Sequence, residues 1–229
     1  MSEQSSYRPS LRTVLAEAVW GKSVSRTLWN LFWRTHPPLQ GRILDIGGAG
    51  RGSHYRFLRF APGAVVQTAD IATRARVDFV VDITKERVPL PDASCDVILL
   101  FNILEHLPSH TVALAEARRL LKPGGQLLGV IPFLLNVHRD PEDYVRFTDT
   151  ALAALFTESG FTVKVIEPIG RGPFLAAYDQ LDMLLWKPLH LLFLPVVWLL
   201  DWTLSVVKSR RDFRAQFPLA YNFIVEKVV

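Results

Sequence analysis

A short apolar strand that runs directly into a cluster of glycines is the feature that most restricts how this chain can fold. Residues 43–52 read ILDIGGAGRG, with Asp45 near the end of the strand and glycines at 47, 48, 50 and 52. Glycine lacks a Cβ atom, so such a turn brings backbone N–H groups close to a ligand at the start of a helix. In an open α/β sheet this turn lies at the carboxyl end of the first strand, where cofactors bind.

Strand and helix patterns alternate through the following residues. Apolar runs at residues 64–68, 77–81, 96–101 and 126–131 are typical of strands, and residues 111–121 and 148–159 are typical of helices. Residues 161–167 and 221–228 also favour strands, which we expect to pair as an antiparallel hairpin at one edge. The pattern predicts an α/β fold with a Rossmann-like, doubly wound, seven-stranded sheet.

Two carboxylates follow the second and third predicted strands. Asp70 comes about 20 residues after the glycine turn, where a carboxylate can accept hydrogen bonds from both hydroxyls of a ribose. Asp82 ends the third strand, and we expect it to face the adenine edge of a nucleoside. Together with the glycine turn, these positions predict a nucleoside-containing cofactor.

Three motifs in register resemble those of the class I S-adenosylmethionine-dependent methyltransferases of the type 11-like family. They are LDIGGAG, LPDASCDVILLFNILEHL and LKPGGQLLGVIP. A further segment at residues 132–148, PFLLNVHRDPEDYVRFT, resembles the HxxPxDYxRFT motif of bacterial relatives associated with polysaccharide or glycolipid assembly. The resemblance covers about residues 42–161 and the segment AYNFIVEK.

The resemblance implies that S-adenosylmethionine is the cofactor and S-adenosylhomocysteine the product. The residues it implies at the cofactor, with their strand-end neighbours, are Asp45, Gly47, Gly48, Gly50, Asp70, Ile71, Asp82, Ile83, Phe101 and Asn102. The glycine loop departs from the family pattern, because Ala49 stands on an expected glycine. This departure keeps open a non-catalytic accessory protein that only binds the cofactor.

The residues after the fifth strand are expected on the acceptor side of the site, since they overhang the carboxyl edge of the sheet. A histidine can act as a base near neutral pH, and an arginine can hold a phosphate or carboxylate. The candidates are His138, Asp143, Tyr144 and Arg146, with His106 nearer the cofactor. The alternative is structural: a loop held by Asp143 and Arg146, with Tyr144 in the core. The sequence shows no pattern of metal ligands.

An apolar segment at residues 181–207 is followed at once by four cations, Lys208, Arg210, Arg211 and Arg214. Two prolines interrupt it, so we expect two short helices. The stretch from Leu181 to Arg214, with its apolar residues followed by cations, predicts peripheral contact with a membrane that contains anionic lipid. A helical cap, a homodimer interface and a single membrane span remain alternatives. The predicted parts are therefore a tail and helices at 1–40, a core at 41–170 and 218–229, and an insertion at 171–217.

Composition restricts the partners. The net charge of +4 is too small for strong binding to the phosphates of a nucleic acid. After the fourth strand the chain reads FNIL, where amino-methylating enzymes carry an NPPY or DPPY tetrapeptide, so we expect no nucleic-acid substrate. One cysteine, Cys95, excludes an internal disulfide. We expect a cytoplasmic enzyme at the inner face of the cytoplasmic membrane. Its acceptor would be a small molecule, a glycan or a lipid-linked precursor methylated at a hydroxyl or carboxylate oxygen, or else an isoprenoid quinone.

Overall fold

The computed structural model describes residues 8–19, 23–48, 53–72, 76–181, 184 and 186–228. The chain divides into two compact units. Unit 1 contains residues 1–35, 133–136 and 167–221, and unit 2 contains residues 36–132, 137–166 and 222–229. The N-terminal helices and the apolar insertion, expected as separate parts, thus fall in the same unit.

A seven-stranded sheet confirms the predicted Rossmann-like fold. Its order is β3-β2-β1-β4-β5-β7-β6, and the pairs β1–β2, β1–β4, β2–β3 and β4–β5 are parallel. The strands are β1 (Arg42–Ile46), β2 (Val65–Asp70), β3 (Phe79–Val80), β4 (Cys95–Phe101), β5 (Leu121–Pro132), β6 (Phe161–Ile169) and β7 (Ala220–Lys227). The chain crosses from one side of β1 to the other between β3 and β4, which is the switch point where such sheets bind ligands.

The last two strands are antiparallel, as expected. The Leu219 N–H donates to the Ile169 carbonyl at one end, and the Val228 N–H donates to the Gly160 carbonyl at the other. They are not joined by a short hairpin turn, because three helices separate them in the chain. β7 lies between β5 and β6, so β6 forms the edge.

Seven α-helices accompany the sheet in the described part of the chain. They are α1 (Leu11–Ala18), α2 (Val24–Trp33), α3 (His110–Leu120), α4 (Asp149–Glu158), α5 (Pro173–Gln180), α6 (Lys187–Val207) and α7 (Phe213–Gln216). Thr148 caps α4 as predicted, since its hydroxyl accepts the Ala151 N–H at 3.2 Å. After the glycine turn, the described residues form only one 3₁₀ turn, Ser53–Arg56, in place of the expected helix.

The prediction of two short helices in the apolar segment is wrong. α6 is one 21-residue helix with Pro195 inside it. Pro188 lies in its first turn, where a backbone N–H has no helical partner, so that proline does not interrupt the helix. Pro195 removes one interior hydrogen bond, which the rest of the helix tolerates. From Pro188 to Val207 the helix is long and apolar enough to cross a membrane.

The two faces of α6 differ from those of a helix on the surface of a soluble protein, because its buried face carries polar residues and its exposed face is mainly apolar. Its buried stripe carries His190, Leu194, Trp198 and Asp201 at spacings of four, four and three residues. Asp201 accepts the N–H groups that begin α5, from Phe174 at 3.1 Å and Leu175 at 2.9 Å. The exposed face is mainly apolar; beside Thr203 and Ser205 it carries Leu189, Leu192, Phe193, Val196, Leu199, Leu200, Trp202, Val206 and Val207.

Candidate cofactor and acceptor site

A cavity of about 340 Å³ lies in unit 2 at the carboxyl ends of β1, β2 and β4. This is within the range of small-ligand sites. Six of the predicted cofactor residues line it: Gly47, Asp70, Ile71, Asp82, Ile83 and Asn102. Two of the predicted acceptor-side residues, His106 and Tyr144, line the same cavity.

Gly47 forms the turn at the end of β1, and its side-chain position is already filled. Its φ is +77°, a conformation that favours glycine, and its N–H donates to the Ala69 carbonyl at 2.7 Å. A Cβ atom there would lie 1.9 Å from Cδ1 of Ile103, which also lines the cavity. Only a residue without a side chain therefore fits between β1 and the ligand cavity.

Asp45 and Phe101 lie behind the cavity wall and do not line it. Asp45 is fully buried, and its Oδ2 lies 3.1 Å from Nε2 of His54. The His54 ring stacks on Phe101 with centroids 4.4 Å apart. A Cβ on Gly48 would lie 2.0 Å from Asp45 Oδ2, so Gly48 covers this carboxylate. Gly50, with Ala49 beside it, lies outside the described residues.

The two carboxylates after β2 and β3 are held in fixed orientations. Asp70 Oδ1 accepts the Ala72 N–H at 2.8 Å. Asp82 Oδ1 accepts both the hydroxyl and the N–H of Thr84, at 2.6 and 3.0 Å, and its Oδ2 pairs with Lys85 at 2.9 Å. The Thr84 hydroxyl, followed by Lys85, lowers the pKa of Asp82, so this side chain is an anion that accepts hydrogen bonds.

The His106 ring lines the cavity, and the contacts of its two nitrogens fix its tautomer: Nε2 lies 3.8 Å from Oε1 of Glu105. Its Nδ1 lies 2.5 Å from the Glu142 carbonyl oxygen, and a carbonyl can only accept. In the neutral ring, Nδ1 therefore carries the proton and Nε2 has a free lone pair. Tyr144 is held nearby by its backbone, whose N–H donates to the Glu105 carbonyl at 2.8 Å.

His138, Asp143 and Arg146 form a cluster that does not line the cavity, although the His138 ring contacts the ring of His106. Both carboxylate oxygens of Asp143 accept from the Arg146 guanidinium, and Oδ2 also accepts the His138 N–H at 3.0 Å. The arginine, ahead of all other contacts, lowers the pKa of Asp143 to about 2. This pair holds the loop together, in agreement with the structural alternative for these two residues.

Glu105 is a site residue that the sequence analysis missed. It is fully buried, and neither carboxylate oxygen has a hydrogen-bond partner among the described residues. Burial raises its pKa to about 8, against weaker opposing effects of its own N–H and Arg146. Its carboxylate and the rings of His106 and His138 offer ligand atoms within 4.8 Å of one another. The fold thus assembles a group that could hold a divalent cation, where the sequence predicted none.

Comparisons with known proteins find a methyltransferase domain in the same part of the chain. Residues 44–129 match the model of a methyltransferase domain. A probable S-adenosylmethionine-dependent methyltransferase of Mycolicibacterium smegmatis is 33% identical over 98 residues, or 40% of this chain and 38% of that protein. The ubiquinone biosynthesis O-methyltransferase of Pseudomonas aeruginosa is 27% identical over 115 residues, or 45% and 47%. The chain thus spans less than half the length of these curated relatives.

Solved structures share the fold at low sequence identity. A methyltransferase from Burkholderia thailandensis, solved with 1,6-didemethyltoxoflavin and S-adenosylhomocysteine, matches with a TM-score of 0.54 and 17% identity, over 93% of this chain and 83% of that one. The [4+2]-cyclase SpnF matches with a TM-score of 0.54 and 18% identity, over 90% and 81%. Because one of these neighbours is a cyclase, the fold alone does not identify the reaction. The matched domain and the curated relatives support a methyltransferase that uses S-adenosylmethionine.

Proposed function

We propose that this chain, whose residues 44–129 match a methyltransferase domain, transfers the methyl group of S-adenosylmethionine to an oxygen atom of a small-molecule, glycan or lipid-linked acceptor. The observation that carries the proposal is the cavity at the switch point of the sheet, which Asp70, Asp82, Asn102 and His106 all line. The name of the Pseudomonas relative supports oxygen as the acceptor atom and keeps a quinone among the candidate acceptors.

The cavity residues fit this cofactor. Asp70, at the end of β2, is placed to accept hydrogen bonds from ribose hydroxyls, and Asp82, after β3, to accept from the adenine amino group. Gly47 has no side chain, and Ile103 leaves no room for one, so only backbone atoms stand at the turn. A ligand can therefore approach the end of β1 closely. S-adenosylmethionine supplies a methyl group already activated on a sulfonium, so the protein mainly aligns donor and acceptor.

The acceptor side calls for a base if the acceptor is a hydroxyl. The His106 ring lines the cavity, and the Glu142 carbonyl oxygen holds it in the tautomer that leaves the lone pair on Nε2. We assign to Nε2 the removal of the hydroxyl proton as the methyl group is transferred. The His138 ring packs edge-on against the His106 ring, with centroids 5.0 Å apart, so its role is to position His106.

Calorimetry with S-adenosylmethionine and S-adenosylhomocysteine tests the cofactor site. Asp70→Ala should weaken affinity by about 10- to 100-fold, which corresponds to about 1.4–2.8 kcal/mol. Asp92→Ala, which removes a carboxylate from an exposed surface outside the cavity, is the matched control. Binding that is unchanged in Asp70→Ala would remove this residue from the site.

A second assay separates an enzyme from a cofactor-binding accessory protein. His106→Gln should retain S-adenosylhomocysteine binding and lose transfer of a radiolabelled methyl group to glycolipid or quinone acceptors. Cofactor binding by the wild-type chain with no turnover on any membrane extract would favour the accessory protein.

We place the protein on the inner face of the cytoplasmic membrane, without a transmembrane passage. The apolar exposed face of α6 supports the membrane contact in this proposal, because a contiguous apolar surface of this kind marks a membrane or partner contact. Trp186 and Trp202 are more than half exposed, and Lys208, Arg210 and Arg211 follow α6 directly. Tryptophan at the headgroup level and cations against anionic lipid are typical of interfacial helices.

Flotation with phosphatidylglycerol vesicles tests the location. The double variant Leu192→Gln, Leu199→Gln should lose vesicle binding, whereas Val112→Gln, at an exposed apolar position of α3, should not. If the chain is dimeric by light scattering and the α6 variant becomes monomeric without any change in vesicle binding, the apolar face is a homodimer interface instead.

A further inference from the structure

Unit 1 contains a second cleft, of about 540 Å³, beside the carboxyl-terminal half of α6. Its wall includes the indole rings of Trp198 and Trp202 and the hydroxyl groups of Ser205 and Ser209. Nothing in the proposed methyl transfer uses these residues. The cleft therefore needs its own explanation.

The charge of this cleft is strongly positive. Five arginines line it, against two aspartates: Arg8, Arg171, Arg210, Arg211 and Arg214 face Asp201 and Asp212. Arg214 pairs with Glu167 at 3.0 Å and with Asp212 at 3.6 Å, and Asp201 is occupied by the start of α5. Among the described residues, the side chains of Arg8, Arg210 and Arg211 have no ion-pair or hydrogen-bond partner.

Arg171 is the most constrained of these cations. Its guanidinium carbon lies 4.0 Å from the centre of the Trp198 ring, and its Nε donates to the Trp198 carbonyl at 3.3 Å. This stacking leaves both terminal amino groups without an acceptor among the described residues. Burial is the main cause of a lowered pKa for Arg171, which indicates a cation only partly compensated by its surroundings. A stacked guanidinium with its fork free suits bidentate recognition of a phosphate.

The position of the cleft along α6 favours a membrane lipid as the molecule that would carry such a phosphate. Trp202 lines the cleft and also belongs to the exposed apolar face of α6, so one helix presents acyl-chain and headgroup chemistry side by side. Arg210 and Arg211 follow the helix within four residues of its end. An acidic protein segment would match the arginines but not the apolar face beside them.

We propose that this cleft binds the phosphate group of an anionic membrane lipid while the apolar face of α6 lies among the acyl chains. The inference rests on the proposed membrane contact and adds a defined headgroup site to it. Arg171 fixes the phosphate from within the cleft, and Arg210 and Arg211 close over it from the edge.

The test uses the full chain and one headgroup in two physical forms. Dihexanoyl phosphatidylglycerol below its micellar concentration reports the cleft alone, and vesicles of phosphatidylglycerol in phosphatidylcholine report membrane contact. We expect saturable one-to-one binding of the short-chain lipid, weakened by about tenfold or more in Arg171→Gln and in Arg210→Gln. Arg26→Gln, which removes the same charge from an exposed position of α2, should change it by less than about twofold. Arg210 is exposed, so its variant remains informative if Arg171→Gln fails to fold.

The outcomes separate the two proposals. Loss of short-chain binding in the cleft variants, with Leu192→Gln, Leu199→Gln losing only vesicle binding, supports both. Vesicle binding by a chain that does not bind the short-chain lipid overturns the cleft and leaves the membrane contact. Inorganic phosphate that binds as tightly as the short-chain lipid, with no vesicle binding, overturns the lipid as the source.

Discussion

Replacement of Glu105 by glutamine should stabilise the protein at alkaline pH and leave its stability almost unchanged near pH 5. Burial raises the pKa of Glu105 in the folded chain from 4.5 to about 8. Between these values the folded chain holds a proton that the unfolded chain releases, so the free energy of unfolding falls as pH rises. The slope is about 1.4 kcal/mol per pH unit, which amounts to roughly 4 kcal/mol between about pH 5 and about pH 8.

Urea denaturation across this pH range measures the effect. Glutamine keeps the shape and polarity of the protonated side chain but has no proton to lose, so the difference between variant and wild type should grow with pH. Glu142→Gln makes the same chemical change at an exposed position and should alter stability little at any pH. A difference between Glu105→Gln and wild type that stays constant over the range would refute the buried, protonated state of Glu105.

Two further substitutions test the glycine turn of the cavity and the loop that Asp143 and Arg146 hold together. Gly47→Ala should lower the free energy of unfolding by about 1 kcal/mol for its backbone conformation and by about 1–3 kcal/mol more for the contact with Ile103. It should also weaken the binding of S-adenosylhomocysteine. The control, Gly63→Ala, shares the positive φ but has nothing within 4 Å of the new Cβ, so it should show the backbone cost alone. Equal losses in both alanine variants by urea denaturation would eliminate the steric argument. Asp143 has a folded pKa of about 2 against an ordinary 3.8, so its contribution to stability is present above pH 3.8 and is lost as pH falls through 2. Asp143→Asn should therefore lack this component of acid unfolding, and an acid titration identical to that of wild type would contradict it.

The strand pattern of unit 2 was predictable because its cause is local. A strand buried on both faces is a continuous apolar run, and β4 has that sequence. The Thr148 cap and the carboxylates that follow from the strand ends obey the same chain-local rules, and Asp70 and Asp82 both line the cavity.

The rest depends on contacts between distant segments. Asp45 belongs to the same motif as Gly47, but it pairs with His54 and does not line the cavity. No spacing in the sequence predicts that pairing. Glu105 stands beside His106 in a short motif, and only the burial of the 3₁₀ turn reveals its raised pKa. The proline rule failed in α6, because tertiary contacts of its buried stripe outweigh the one hydrogen bond lost at Pro195.

The interleaving of the two units along the chain has a consequence for biosynthesis. Unit 1 begins with α1 and α2, but its remaining major segment starts only at residue 167. At translation rates of about 5–20 residues per second, residues 36–166 take roughly 7 to 26 s to emerge. During that interval α2, which carries the buried Trp29 and Trp33, lacks the residues 167–221 that complete its unit. The rate of elongation through unit 2 therefore sets how long the amino-terminal helices wait for the rest of their unit.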